Sequence, residues 1–94
     1  MAQYIVRVVL HEKNHDHPDY TKLHAAMKSA GFSQQISDPH GKWFHLPPAE
    51  YRADTIQTRS QVCTAAKNAA NTVTRNNGVL VTEGYCTWDG LKPA

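Results

Sequence analysis

The chain has 94 residues, one domain's worth, of which 40% are hydrophobic and 19% charged, with a formal net charge of +2 when its six histidines are neutral. A domain of this size buries roughly 60–65% of the surface its unfolded chain exposes, so one sheet-plus-helix core fills it and a deep cofactor cavity with a second lobe is excluded. No apolar run approaches the ~20 residues needed to cross a bilayer, and the mild positive charge permits nucleic-acid binding without arguing for it.

Residues 3–10, Gln-Tyr-Ile-Val-Arg-Val-Val-Leu, are β-branched and aromatic between polar flanks, and predict a strand. Period two places Tyr4, Val6, Val8 and Leu10 on one face and Ile5, Arg7 and Val9 on the other. Both faces are largely apolar, so the strand is expected at the centre of a sheet. A polar loop, residues 11–17, follows. Pro18 is a favoured first helical residue and Asp19 suits the positive helix end. Tyr20, Leu23, Met27 and Ala30 recur at helical spacing, and Gly31 is a good left-handed terminator with Phe32 as its apolar contact. A helix is predicted over 18–30.

A short strand is predicted from Phe32 to Ile36, a turn at Ser37-Asp38-Pro39-His40-Gly41, and a returning strand over 42–46 that Pro47-Pro48 stops. Asp54 or Thr55 could cap a second helix. Val62, Ala66, Ala69, Ala70 and Val73 form its narrow apolar stripe, and Asn76-Asn77-Gly78 is expected to end it. Residues 79–82 are the last strand. The expected organisation is one domain over 1–84 and a tail over 85–94, whose Tyr85, Trp88 and Leu91 can fold back over an apolar surface. The order βαββαβ matches a ferredoxin-like α+β arrangement: an antiparallel sheet of order 4-1-3-2 with both helices on one face.

The start of the chain lacks the charged region of a signal peptide, and Cys63 and Cys86 form no disulfide framework or Cys-x-x-Cys motif. A cytoplasmic protein without a membrane partner is therefore expected. His11, His15 and His17, with Glu12, Asp16 and Asp19, offer metal-ligating groups. The competing reading is a solvated polar loop, and no metal or cofactor is expected. The uncovered sheet face is the stronger candidate. It would carry Arg7, Trp43 and His45 beside Ile5 and Val9. A guanidinium and an aromatic plate suit single-stranded RNA through phosphate contact and base stacking. The nucleic-acid-binding set is then Arg7, Lys42 and Trp43. The same face suits a homodimer, another protein partner, or cover by the tail.

The opening Tyr4-Ile-Val-Arg-Val-Val-Leu-His11, the segment Trp43-Phe-His-Leu-Pro47 with Ala49-Glu-Tyr51, and Val79-Leu-Val-Thr-Glu83 resemble the small bacterial and prophage proteins grouped with the antitoxin GhoS. The resemblance extends over almost the whole chain in length and element order. It implies a ferredoxin-like fold related to CRISPR-associated ribonucleases and an antitoxin that is an endoribonuclease cleaving messenger RNA. Those ribonucleases carry an acidic metal ligand at the end of the first strand, where this chain has Leu10-His11. The resemblance therefore implies a metal-independent route, with His11 or His45 activating the RNA 2′-hydroxyl and Arg7 stabilising the phosphorane. A non-enzymatic phage or mobile-element protein that inhibits or regulates another protein is the alternative.

Overall fold

The computed structural model describes residues 1–94. Its elements run β1 (Ala2–Leu10), α1 (Pro18–Ser29), β2 (Gln35–Ser37), β3 (Trp43–His45), β4 (Glu50–Thr55), α2 (Arg59–Asn71) and β5 (Asn77–Glu83). They form a small α+β structure with a three-stranded antiparallel sheet, β4-β1-β5, and a separate β2-β3 hairpin. No helix is long and apolar enough to cross a membrane.

The β-branched run of β1 is central, as its two apolar faces require. Val6 pairs with Tyr51 of β4 on one side and Val81 of β5 on the other. Tyr4, Val6, Val8 and Leu10 are all buried. They join Tyr20, Leu23 and Met27 of α1, Tyr51 and Ala53 of β4, and Val62, Ala66, Ala69 and Ala70 of α2 in one apolar cluster. Small alanines on α2 let its backbone approach the sheet closely.

Local chemistry sets both ends of α1. His17 caps the start, its Nδ1 accepting the Asp19 N–H at 3.1 Å, and Pro18, having no N–H, leaves no donor unpaired there. At the other end Gly31 takes φ +95°, a conformation costly for any residue with a Cβ. Its N–H donates to Lys28 and that of Phe32 to Met27, both at 3.0 Å. This double closure brings buried Phe32 back onto the core. Phe32 therefore ends the helix rather than beginning the next strand, which starts at Gln35.

Three further expectations are corrected. The strand beside β1 is Glu50–Thr55, not the segment around Trp43–His45, which pairs only with β2 and the tail. Pro47-Pro48 ends β3, yet Ala49 turns at φ +63° and accepts the Val8 N–H at 3.0 Å, feeding the chain straight into β4. Asp54 and Thr55 consequently lie in a strand. Thr58 caps α2 instead, in a reciprocal box with Gln61. That helix stops at Asn71, and Asn77 opens β5 as a buried polar residue. Asn77 accepts from Lys67 Nζ at 2.6 Å and donates to Asn71 and Thr74, so burial leaves none of its groups unpaired.

The hairpin joins the sheet at its β4 edge. Ser33 and Arg52 exchange two backbone hydrogen bonds at 2.8 and 2.7 Å. Asp38 shapes the hairpin tip, its Oδ1 accepting the N–H groups of His40 and Lys42, both at 2.9 Å. The tail folds back onto the hairpin, with Trp88 against it and Tyr85 left exposed. The His45 N–H donates to Lys92 at 2.9 Å, the Ala94 N–H donates to Trp43 at 3.0 Å, and Trp88 meets Phe44 edge-on at 5.7 Å.

Candidate nucleic-acid interface

Alternation along the three sheet strands dictates a face turned away from the core. It carries Ile5, Arg7 and Val9 of β1, Glu50, Arg52 and Asp54 of β4, and Gly78, Leu80 and Thr82 of β5. In register, Arg7 lies between Glu50 and Leu80, and Ile5 between Arg52 and Thr82. Val9 lies beside Gly78. A Cβ at Gly78 would stand 3.1 Å from Val9 Cγ1 and 3.5 Å from His11 Nε2. The bare glycine thus gives both side chains room. His11, one residue past β1, joins this face next to Val9, and its N–H donates to Asn76 at 3.0 Å.

Arg52 is the residue that reading the sequence alone missed. Its Nε donates to the Gln35 carbonyl at 2.9 Å, it pairs with Asp54, and its guanidinium carbon lies 5.2 Å from the Trp43 ring centre. That is a cation–π stack. Burial lowers the affinity of this guanidinium for its proton, but an arginine stays charged under all ordinary conditions. The signal that could have found it is the Tyr51-Arg52-Ala53 alternation, which turns Arg52 outward once Tyr51 is buried.

The structure therefore divides the expected set. Arg7 and His11 lie along one stretch of the sheet. Trp43 and His45 share a face of the hairpin and reach the sheet through Arg52. Lys42 does not accompany Trp43; its ammonium lies 5.5 Å from the Phe44 ring centre. In the loop before α1, His17 is committed to the helix cap and His15 pairs with exposed Asp16 at 3.2 Å. Asp19 pairs with Lys13, which holds its carboxyl below the usual range. No three His, Cys, Asp or Glu side chains converge on a metal-sized site.

His24 of α1 finds a partner on the core side. Its Nδ1 shares a 2.6 Å hydrogen bond with the hydroxyl of buried Tyr51. Burial pushes the imidazole pKa down and the Tyr51 phenol up, so both stay neutral near pH 7. Nearby, the Tyr20 hydroxyl accepts the Leu10 N–H at 3.0 Å. These aromatic hydroxyls satisfy polar groups inside the core and are remote from the outward face by strand alternation.

No family model matches the chain, and no curated protein or solved structure is significantly similar to it.

Proposed function

We propose that this chain is an antitoxin-like protein that holds single-stranded RNA on the uncovered face of its sheet. The Trp43–Arg52 stack, set at the edge of a face that also carries Arg7 and His11, is the observation that carries this reading. An indole plate accepts a base, and the Arg7 guanidinium on the neighbouring sheet accepts a phosphate, with Arg52 holding the indole in place. Cleavage without metal would use the same residues. His11 takes the proton of a 2′-hydroxyl, the freed oxygen attacks the neighbouring phosphorus, and Arg7 stabilises the added negative charge. The 5′-oxygen then leaves with a proton from water, and a cyclic phosphate remains. His45, on the hairpin, is the other candidate base.

We infer a ferredoxin-like ancestry for the fold. The Ser33–Arg52 bridge extends the order β5-β1-β4 toward β2. With β3 counted as an insertion, this bridge supports reading the strands in the 4-1-3-2 order of split βαβ domains, as a GhoS-like relationship would require.

Incubation with single-stranded RNAs in EDTA tests the proposal, comparing wild type with Arg7→Ala, His11→Ala, His45→Ala and Trp43→Ala. Cleavage lost in Arg7→Ala and in one histidine variant supports the enzyme. Salt-dependent binding weakened by Arg7→Ala and Trp43→Ala, without cleavage, supports a binding module. Absence of both across many RNAs overturns the reading.

A second reading rests on a separate observation. Leu80 is 65% exposed and Val9 43% exposed, flanking Arg7. An apolar pair on an open face suits a protein partner or a second copy of this chain. Sedimentation of wild type against Leu80→Asp tests it, and a monomer in both cases counts against self-association.

A further inference from the structure

The tail and the hairpin tip flank an open groove of about 410 Å³, within the size range of small-molecule sites. Its walls are aromatic and apolar, with Phe44 and Trp88 in edge-to-face contact and Leu91 beside them. Its charges are of one sign. Asp38 lines it from the hairpin and Asp89 from the tail, and no lysine, arginine or histidine lines it. This is notable in a chain of net positive charge.

The acidic groups are available. Asp38 uses only Oδ1 on the hairpin tip, leaving Oδ2 free, and Asp89 makes no ion pair. Cys86, also in the lining, adds no competing charge, because burial and then the Glu50 carboxylate push its thiol upward. The aromatic wall already attracts an ammonium, since the chain's own Lys42 Nζ lies over the Phe44 ring.

We propose that this groove binds a linear aliphatic diamine or polyamine, one ammonium on each carboxylate and the methylene chain along Phe44, Trp88 and Leu91. The two carboxylates come from different segments joined by aromatic walls. That arrangement matches a ligand with two cationic ends and an apolar middle better than a single cation. An anion would meet like charge. A neutral apolar ligand would leave both carboxylates partly desolvated without a partner.

The test uses the full chain carrying Trp43→Phe, so that Trp88 is the one fluorescent indole. Putrescine is titrated against it, with butylamine and succinate as comparisons. Putrescine should give a saturable change in Trp88 emission with a midpoint below about 1 mM. Butylamine, which can satisfy one carboxylate only, should bind roughly tenfold more weakly, and succinate not at all. Asp89→Asn should weaken putrescine roughly tenfold, and Asp38→Asn with Asp89→Asn should abolish saturation. Asparagine keeps the Oδ1 acceptor that holds the hairpin tip, and a melting curve identical to the parent's establishes that the double variant is folded. Three results would overturn the proposal: no saturable response to putrescine at about 10 mM, equal binding of butylamine, or undiminished putrescine binding by the folded double variant.

Discussion

The sheet with its helices and the hairpin with its tail are held together by different forces. In the first, β1, β4, both helices and Phe32 share one apolar cluster, and each fully buried large side chain there contributes about 1.5–3 kcal/mol. The second has a single fully buried apolar side chain, Ile36, which lies outside that cluster. Its cohesion comes from the β2–β3 pairing, the Asp38 turn, two backbone hydrogen bonds exchanged with the tail and the Phe44–Trp88 contact. Such hydrogen bonds contribute about 1 kcal/mol net, and such an aromatic pair about 0.5–1.5. The sheet should therefore open only with global unfolding, and the hairpin and tail by local excursions. The proposed RNA face spans this boundary. Arg7 and His11 stand on the firm side and Trp43 and His45 on the loose one, with Arg52 as the link. Ligand binding should therefore stiffen the hairpin more than the sheet.

Truncation at the centre of the cluster should have the largest effect. Leu23→Ala should cost about 2–5 kcal/mol in urea unfolding, because the site is fully enclosed and leaves a cavity. Gly31→Ala should cost about 1–2 kcal/mol, since the left-handed φ and not lost space is the penalty; no atom lies within 4 Å of the added methyl. Trp88→Ala should lower global stability by less than about 1 kcal/mol. It should nevertheless accelerate hydrogen exchange at the His45 and Ala94 amides while leaving β1 amides protected. If Trp88→Ala proves as costly as Leu23→Ala, or exposes β1 equally, the two regions form one cooperative unit and the contrast is wrong.

Legibility followed local pattern rather than firmness: the loose hairpin with its Asp38–Gly41 turn was readable, whereas β4 of the firm region was not. β1, the Gly31 ending of α1 and the Val62–Ala70 stripe announce themselves through local signals: β-branched alternation, a left-handed terminator and helical spacing. β4 escaped because its buried face consists of only Tyr51 and Ala53 between Glu50, Arg52 and Asp54, and because Pro47-Pro48 reads as the end of a sheet rather than a bend between strands. Thr58 and Gln61 had the spacing of a capping box, but Asp54 and Thr55 came first along the chain. At the candidate site, period two sufficed to place Arg7 outward. The Trp43–Arg52 stack and the His24–Tyr51 hydrogen bond depend on which strand lies beside β1. No local pattern carries that information, because register is fixed by the completed core.

The smallest expected effect concerns pH and belongs to the firm region alone. His24 loses hydration on folding, which holds its pKa below the unfolded value of 6.5. Between these two pKa values the unfolded chain binds more protons than the folded one. The associated stability is complete above pH 6.5 and is lost as pH falls through the folded pKa. The slope for one proton cannot exceed about 1.4 kcal/mol per pH unit, and the imidazole's partial exposure keeps it well below that. His24→Gln preserves a partner for the Tyr51 hydroxyl but cannot titrate. Its unfolding free energy, measured from pH 7 down to about pH 5, should fall less steeply than that of wild type. Exchange at His45 and Ala94, in the hairpin and tail, should respond to this substitution no more than a distant site does. Parallel slopes in the two proteins would show that the Tyr51 hydrogen bond offsets the lost hydration and that His24 does not sense protons in the folded state.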